Sequence, residues 1–131
     1  MPQLTFDPPL SPAPGFLQTI QLAEGDRTLG TARWHALSEG DPGIVQILDF
    51  HVPPDIRRQG NGKRLMSALV SQTLTYHQTR NVTPRRLWIS VHQKKHVIAR
   101  AFLTSQGFVH ISTVKDLLQD DDALVYIRTF D

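Results

Sequence analysis

Ile44-Val45-Gln46-Ile47-Leu48-Asp49-Phe50-His51-Val52, then Pro53-Pro54-Asp55-Ile56-Arg57-Arg58-Gln59-Gly60-Asn61-Gly62-Lys63-Arg64, then Leu65-Met66-Ser67-Ala68-Leu69: this stretch decides how the chain is read. An apolar run rich in Val, Ile and Phe and closed by two prolines predicts a strand that stops at Val52, because proline has no N–H for the ladder. Beyond it Gly60 and Gly62 let backbone come close to a ligand, and Leu65, Met66, Leu69, Val70 and Leu74 recur at helical spacing. Strand, glycine loop and helix follow one another. At a helix N-terminus the unpartnered N–H groups and the positive end of the macrodipole favour an anion, phosphate above all. Arg57, Arg58, Lys63 and Arg64 add positive charge there.

Upstream, Phe16 to Leu22 and Thr28 to Leu37 predict two strands joined by a hairpin at Glu24-Gly25-Asp26. Period-two alternation puts Ala32, Trp34 and Ala36 on one face and Arg33 and His35 on the other. Glu39-Gly40-Asp41-Pro42-Gly43 turns the chain into the central strand. Residues 1–14 carry Pro2, Pro8, Pro9, Pro12 and Pro14 and read as an extended arm before a single domain over residues 15–131.

Downstream, the helix runs to about Tyr76 or Arg80, with Gln72, Thr75 and Gln78 nearer solvent, and Asn81-Val82-Thr83-Pro84 ends it. Leu87, Trp88, Ile89 and Val91 form a strand parallel to the central one, since a helix joins the two. A second helix puts Val97, Ile98, Ala101, Phe102 and Ser105 on one side and stops at Gly107. Phe108 to Val114 and Ala123 to Phe130 are the last strands, with Asp116 and Asp120-Asp121-Asp122 between them. Trp34 and Trp88 read as core.

Composition bounds the function. A chain of 131 residues, 40% hydrophobic and 20% charged, is long enough for one sizeable core. The absence of cysteine excludes a disulfide scaffold, a thiolate metal site and a cysteine nucleophile. No apolar run is long enough to cross a bilayer and no signal-peptide pattern opens the chain, so a cytoplasmic location is expected. A net charge of +2 is too balanced to imply a nucleic-acid or membrane partner.

The loop fits neither a Walker A spacing nor a dinucleotide-binding glycine pattern. Arg57-x-x-Gly60-x-Gly62, five residues beyond Val52, instead resembles the Arg/Gln-x-x-Gly-x-Gly/Ala signature of GCN5-related N-acetyltransferases (GNAT). The order β-β-β-α-β-α-β-β resembles that family's mixed α+β acyl-CoA N-acyltransferase fold from its second strand onward, over roughly residues 16 to 130. Gly30, Ala99 and Gly107-Phe108 match further family positions. The resemblance implies acetyl-CoA as cosubstrate, with the pyrophosphate on Arg57, Arg58, Gln59, Gly60, Asn61, Gly62, Lys63 and Arg64. It also implies that the pantetheine arm runs beside Phe50 and Val52 where the parallel strands splay, and that an amine accepts the acetyl group.

Three departures accompany the likeness. The family's first strand and first two helices are missing or replaced by the proline-rich arm. The tyrosine that protonates the departing thiolate aligns with Leu103, and the asparagine that contacts the cofactor aligns with His96. As bases, Asp49 and His51 are titratable but fall on the face opposite Gln46, Leu48 and Phe50 unless a bulge re-aims them. Thr104, Ser105 and Tyr126 are the hydroxyl candidates for the acid. His92 and His96 stand four apart, yet no carboxylate flanks them closely, and no metal is expected. Lys94, Lys95 and Arg100 make a basic patch, and Asp120 to Asp122 an acidic run with either an electrostatic or a turn-forming role.

Two functional classes remain: an N-acetyltransferase acting directly from acetyl-CoA, and a non-catalytic acyl-CoA-binding or protein-interaction module. Nucleic-acid binding through Arg57, Arg58, Lys63, Arg64, Arg85 and Arg86 lacks the interleaved aromatic residues needed for base stacking. Ala123 to Phe130 could pair across a homodimer.

Overall fold

The structure is a computed structural model that describes residues 3–7, 17–36, 43–53 and 60–130. Arg57, Arg58 and Gln59, with Pro54 to Ile56, the turn from Glu39 to Pro42, residues 8–14 of the expected arm and residues 15 and 16 after it, lie outside the described residues. The chain divides into two compact units, residues 1–84 and 85–131.

In the first unit β1 (Gln3–Asp7), β2 (Leu17–Glu24), β3 (Arg27–Ala36) and β4 (Ile44–His51) pair antiparallel in chain order, and α1 (Asn61–Thr79) packs on β2 and β3. β1 corrects the sequence reading, in which the first strand was missing. Gln3 to Asp7 pairs with Thr19 to Ala23, so the element order gains one strand at its start. Leu4 and Phe6 do alternate with polar neighbours, but the prolines around them masked that short signal.

Ala32, Trp34 and Ala36 are fully buried on the α1 side, as their alternation demands. Their partners Gln18, Ile20, Val45 and Ile47 are buried with them. On α1 itself Leu65, Met66, Leu69, Tyr76 and His77 fill the same core, and the Trp34 and Tyr76 rings meet edge to face with centroids 5.4 Å apart. Gln72, expected nearer solvent, is 6% exposed because its side-chain oxygen accepts the Trp34 indole N–H at 2.7 Å. The helix ends where Asn81 takes φ 57°, and the Val82 N–H closes on the His77 carbonyl at 2.9 Å.

A bulge in β4 changes the face assignment. Arg33 pairs with Asp49 but Trp34 pairs with Ile47, which leaves Leu48 as an extra residue. Directly opposed residues share a face. Val45, Ile47 and Phe50 therefore lie on the α1 side, while Gln46, Asp49 and His51 lie on the other with His35, Arg33 and Thr31. Counting by twos from Val52 had grouped Gln46, Leu48 and Phe50; one inserted residue breaks that count.

The second unit contains β5 (Arg86–His92), α2 (Val97–Ser105), β6 (Val109–Leu118) and β7 (Asp121–Thr129). β7 pairs antiparallel with both β5 and β6. Both edges of β7 are thus taken, which corrects the reading of Ala123 to Phe130 as a strand free for dimer pairing; the outer strand of this unit is β6. Leu87, Ile89, Val91, Leu124 and Tyr126 share the buried face with Leu103 of α2. Val97 and Ile98, on the side of α2 grouped with Ala101, Phe102 and Ser105, are 60% and 62% exposed. The run from Val97 to Leu103 is apolar almost all round, so periodicity alone could not select the packed side. Gly107 at φ 87° stops α2 as expected, and the Phe108 N–H closes on the Leu103 carbonyl at 3.0 Å.

Candidate functional site

In the first unit β4 delivers the chain to Val52, and α1 starts at Asn61 after Gly60 in the left-handed region at φ 80°. The first intrahelical bond runs from the Arg64 N–H to the Gly60 carbonyl at 3.0 Å, so the N–H groups of Asn61, Gly62 and Lys63 have no acceptor within the helix. No side chain caps this end and no acidic residue stands in the first turn. A Cβ on Gly60 would meet nothing within 4 Å among the described residues. Lys63 and Arg64 are exposed beside it. An open groove of about 840 Å³ begins here, lined by Gly60, Lys63, Arg64, Ser67 and Ala68 from α1 and by Leu4 and Leu22 from β1 and β2. Donors, dipole and cations here all favour an anion.

Gly30 positions this helix start. A Cβ there would lie 3.1 Å from Leu65 Cδ2, 3.3 Å from the His51 carbonyl oxygen and 3.4 Å from Val52 Cγ2. The end of β4 and the first turn of α1 can close on β3 only because that atom is missing.

Asp49 and His51 are both exposed on the face away from α1, with Arg33 and Thr31 directly across from them. Phe50 and Val52 are half-buried.

In the second unit the other predicted residues have structural partners. Leu103 is buried, 2% exposed. The Tyr126 hydroxyl accepts the Arg100 Nε–H at 3.4 Å, and its ring lies 5.5 Å from that of His110. His96 Nδ1 accepts the backbone N–H of His92 at 3.0 Å. The acidic run builds turns. Asp121 accepts the Lys94 and Asp122 N–H groups, and Asp122 accepts that of Asp116. Desolvation pushes the Asp121 carboxyl up, but backbone donors from Lys94, Asp122 and Lys95, with the neighbouring His92, outweigh it and hold its pKa below the usual carboxylate value. Among the described residues no group of three or more His, Asp or Glu side chains is placed to hold a metal, and no helix is long and apolar enough to cross a membrane.

The sequence matches the acetyltransferase (GNAT) family over residues 3–108. The chain belongs to the GNAT acetyltransferase family. No curated protein matches this GNAT chain by sequence. Its fold is the GNAT acyl-CoA N-acyltransferase fold, with seven strands and two helices among the described residues, shared with many solved structures. Ard1 from Thermoplasma volcanium is 20% identical with a TM-score of 0.72, over 86% of this chain and 70% of that one. The ribosomal-protein-S18-alanine N-acetyltransferase from Escherichia coli is 22% identical with a TM-score of 0.65, over 85% and 67%. A GNAT family acetyltransferase from Elizabethkingia anophelis, solved with acetyl-CoA bound, is 12% identical with a TM-score of 0.67, over 87% and 76%.

Proposed function

We propose that this GNAT chain is an N-acetyltransferase that moves an acetyl group from acetyl-CoA directly to a primary amine. The observation that carries the reading is the start of α1. A left-handed glycine, three helix-start N–H groups without intrahelical acceptors, two exposed cations and no acidic neighbour in the first turn suit a pyrophosphate. Gly60, Asn61, Gly62, Lys63 and Arg64 hold that group in this reading, with Arg57, Arg58 and Gln59 added on the resemblance of the motif. Phe50 and Val52 are assigned to the pantetheine arm and His96 and Leu103 to the cofactor on the same ground.

The reaction asks little more than positioning. The amine, with a pKa of about ~10.4, must lose a proton before its nitrogen attacks the thioester carbon. The C–S bond then breaks, and the thiolate leaves as a tolerable group, since a thiol ionises near ~8.5. Orientation and N–H donors toward the carbonyl oxygen lower the barrier without a covalent enzyme intermediate. Asp49 and His51 are the candidate bases, and Tyr126 is the remaining hydroxyl assigned to the acid. A cytoplasmic setting and a homodimer belong to the same reading.

One observation favours the alternative, a non-catalytic acyl-CoA-binding module: the position of the family's tyrosine holds a buried leucine, Leu103. Calorimetric titration with acetyl-CoA and with dephosphorylated pantetheine, followed by thiol release against a panel of amines, separates the two. Phosphate-dependent binding with thiol release supports the transferase. Binding without release supports the module, and no binding removes both.

A further inference from the structure

The turn between β5 and α2 is braced from several sides within the second unit. The Gln93 N–H donates to the Asp122 carbonyl at 3.0 Å, and the Gln93 carbonyl accepts Arg100 of α2 at 3.0 Å. The Lys94 N–H is shared by both Asp121 oxygens, at 3.0 and 3.2 Å, and Asp121 is only 4% exposed. The His92 N–H donates to His96 Nδ1, the His96 N–H donates to the His92 carbonyl at 3.2 Å, and the two rings stand edge to face with centroids 4.7 Å apart. His92 Nδ1 is buried, has no hydrogen-bond partner among the described residues and faces Asp121 Oδ2 at 3.6 Å.

These contacts give the two imidazoles opposite responses to a proton. His96 accepts a hydrogen bond at Nδ1, so its neutral ring carries hydrogen on Nε2 and a second proton must go to Nδ1. That proton displaces the His92 N–H and leaves two donors facing each other. A proton on His92 Nδ1 instead meets the Asp121 carboxylate and draws the ring toward it.

We propose that His92, His96 and Asp121 form a proton-operated latch on the start of α2, closed when His96 is neutral and opened when its Nδ1 takes a proton. The charged and titratable groups around it are His92 on β5, Lys94, Lys95 and His96 on the turn, Arg100 on α2, Asp120, Asp121 and Asp122 at the start of β7, and Asp116 on β6 through Asp122. Partial desolvation of the exposed ring first, then His92 and Lys95, lower the His96 pKa from its ordinary value, while Asp121 acts the other way. The neutral, bonded form is therefore favoured in the folded chain. The sign is fixed: with a depressed folded pKa, the stabilisation is complete above the unfolded histidine value and is lost as pH falls through the folded one. If His96 meets the cofactor, a consequence that rests on the proposed function, acid also weakens acetyl-CoA binding.

The test uses the whole chain without ligand. Imidazole nitrogen resonances report the protonation of His92 and His96, and amide hydrogen exchange reports the His92 N–H. Protection of the His92 amide is expected to fall about fivefold as His96 protonates, the size of one ordinary net hydrogen bond. In His96→Asn, at an exposed position, that pH-dependent step is expected to vanish. Asp121→Asn is expected to speed exchange of the Lys94 amide at every pH. If Asp121→Asn does not fold, the His96 variant still decides the matter. A His92 amide indifferent to the protonation of His96 overturns the latch. Acetyl-CoA titration above and below the transition then reads the consequence separately: a working latch with unchanged affinity refutes the link to the cofactor and leaves the latch standing.

Discussion

Trp34 and Gln72 tie the third strand to the first helix: the indole Nε1–H donates to the glutamine oxygen at 2.7 Å inside a core where Trp34 is fully buried. The bond joins β3 to the buried face of α1. Gln72→Leu keeps the volume and removes the acceptor, and is expected to cost about 1–3 kcal/mol, the penalty for a buried donor deprived of its acceptor. Urea unfolding checks it through a lower midpoint at unchanged slope.

Gly30 and Leu65 come so close that a methyl group on Gly30 would lie 3.1 Å from Leu65 Cδ2. Gly30→Val pushes the first turn of α1 away from β3 and is expected to destabilise the fold by about 1–3 kcal/mol, as overpacking generally does. The same displacement moves the Gly60 to Lys63 amides, so acetyl-CoA affinity should fall along with stability. A variant that loses stability and binds acetyl-CoA as before would show that the loop is set independently of Gly30.

The elements with one strong period were legible in the sequence. β3 alternates, β4 is an apolar run closed by prolines, α1 carries a clear stripe, and Gly25, Gly60 and Gly107 stand where the chain takes positive φ. What escaped has physical reasons. β1 is short and surrounded by proline. The bulge at Leu48 carries no residue type that marks it, yet it decides which side chains share a face with Asp49. The side of α2 that packs is undetermined by a run that is apolar all round. The acidic run admitted two readings from composition, and the hydrogen bonds of Asp121 and Asp122 to backbone favour the turn-forming one. The open helix start behind Gly60 was legible because it depends on backbone geometry, which glycine and helix position announce.

Gly60 tests that site by two routes. At φ 80° an alanine is strained although its Cβ meets nothing, so Gly60→Ala is expected to cost about 1–2 kcal/mol through backbone conformation alone. Gly60→Asp adds a carboxylate where an anion is to bind and should raise the dissociation constant for acetyl-CoA at least about tenfold, ~1.4 kcal/mol. Calorimetry on both variants separates strain from charge. Equal affinities in the two would place the pyrophosphate elsewhere.

Leu103→Tyr puts a tyrosine where the resemblance aligns the family's, but Leu103 is 2% exposed and packed in the second unit. The larger ring overfills this core and its hydroxyl needs a partner there, so a loss of about 1–3 kcal/mol is expected. Thiol release by this variant is expected to stay at the level of the parent chain. Increased turnover at intact stability would show instead that the missing acid limits the reaction.

His51 and Asp49 share the face away from α1 by simple alternation beyond the bulge, which makes them comparable candidates for removing the proton of the amine. The chemistry favours the imidazole, the side chain most often used as a general base, over a carboxylate, which is a weak base toward an ammonium group. A base works only when unprotonated, so kcat/KM must rise with pH as the imidazole loses its proton. His51→Gln is expected to abolish that rise and to leave a flat, slower acidic limb. Asp49→Asn is expected to keep the rise and alter only its height. The pH dependence of thiol release checks both, and a profile unaltered in His51→Gln transfers the role to Asp49 or to solvent.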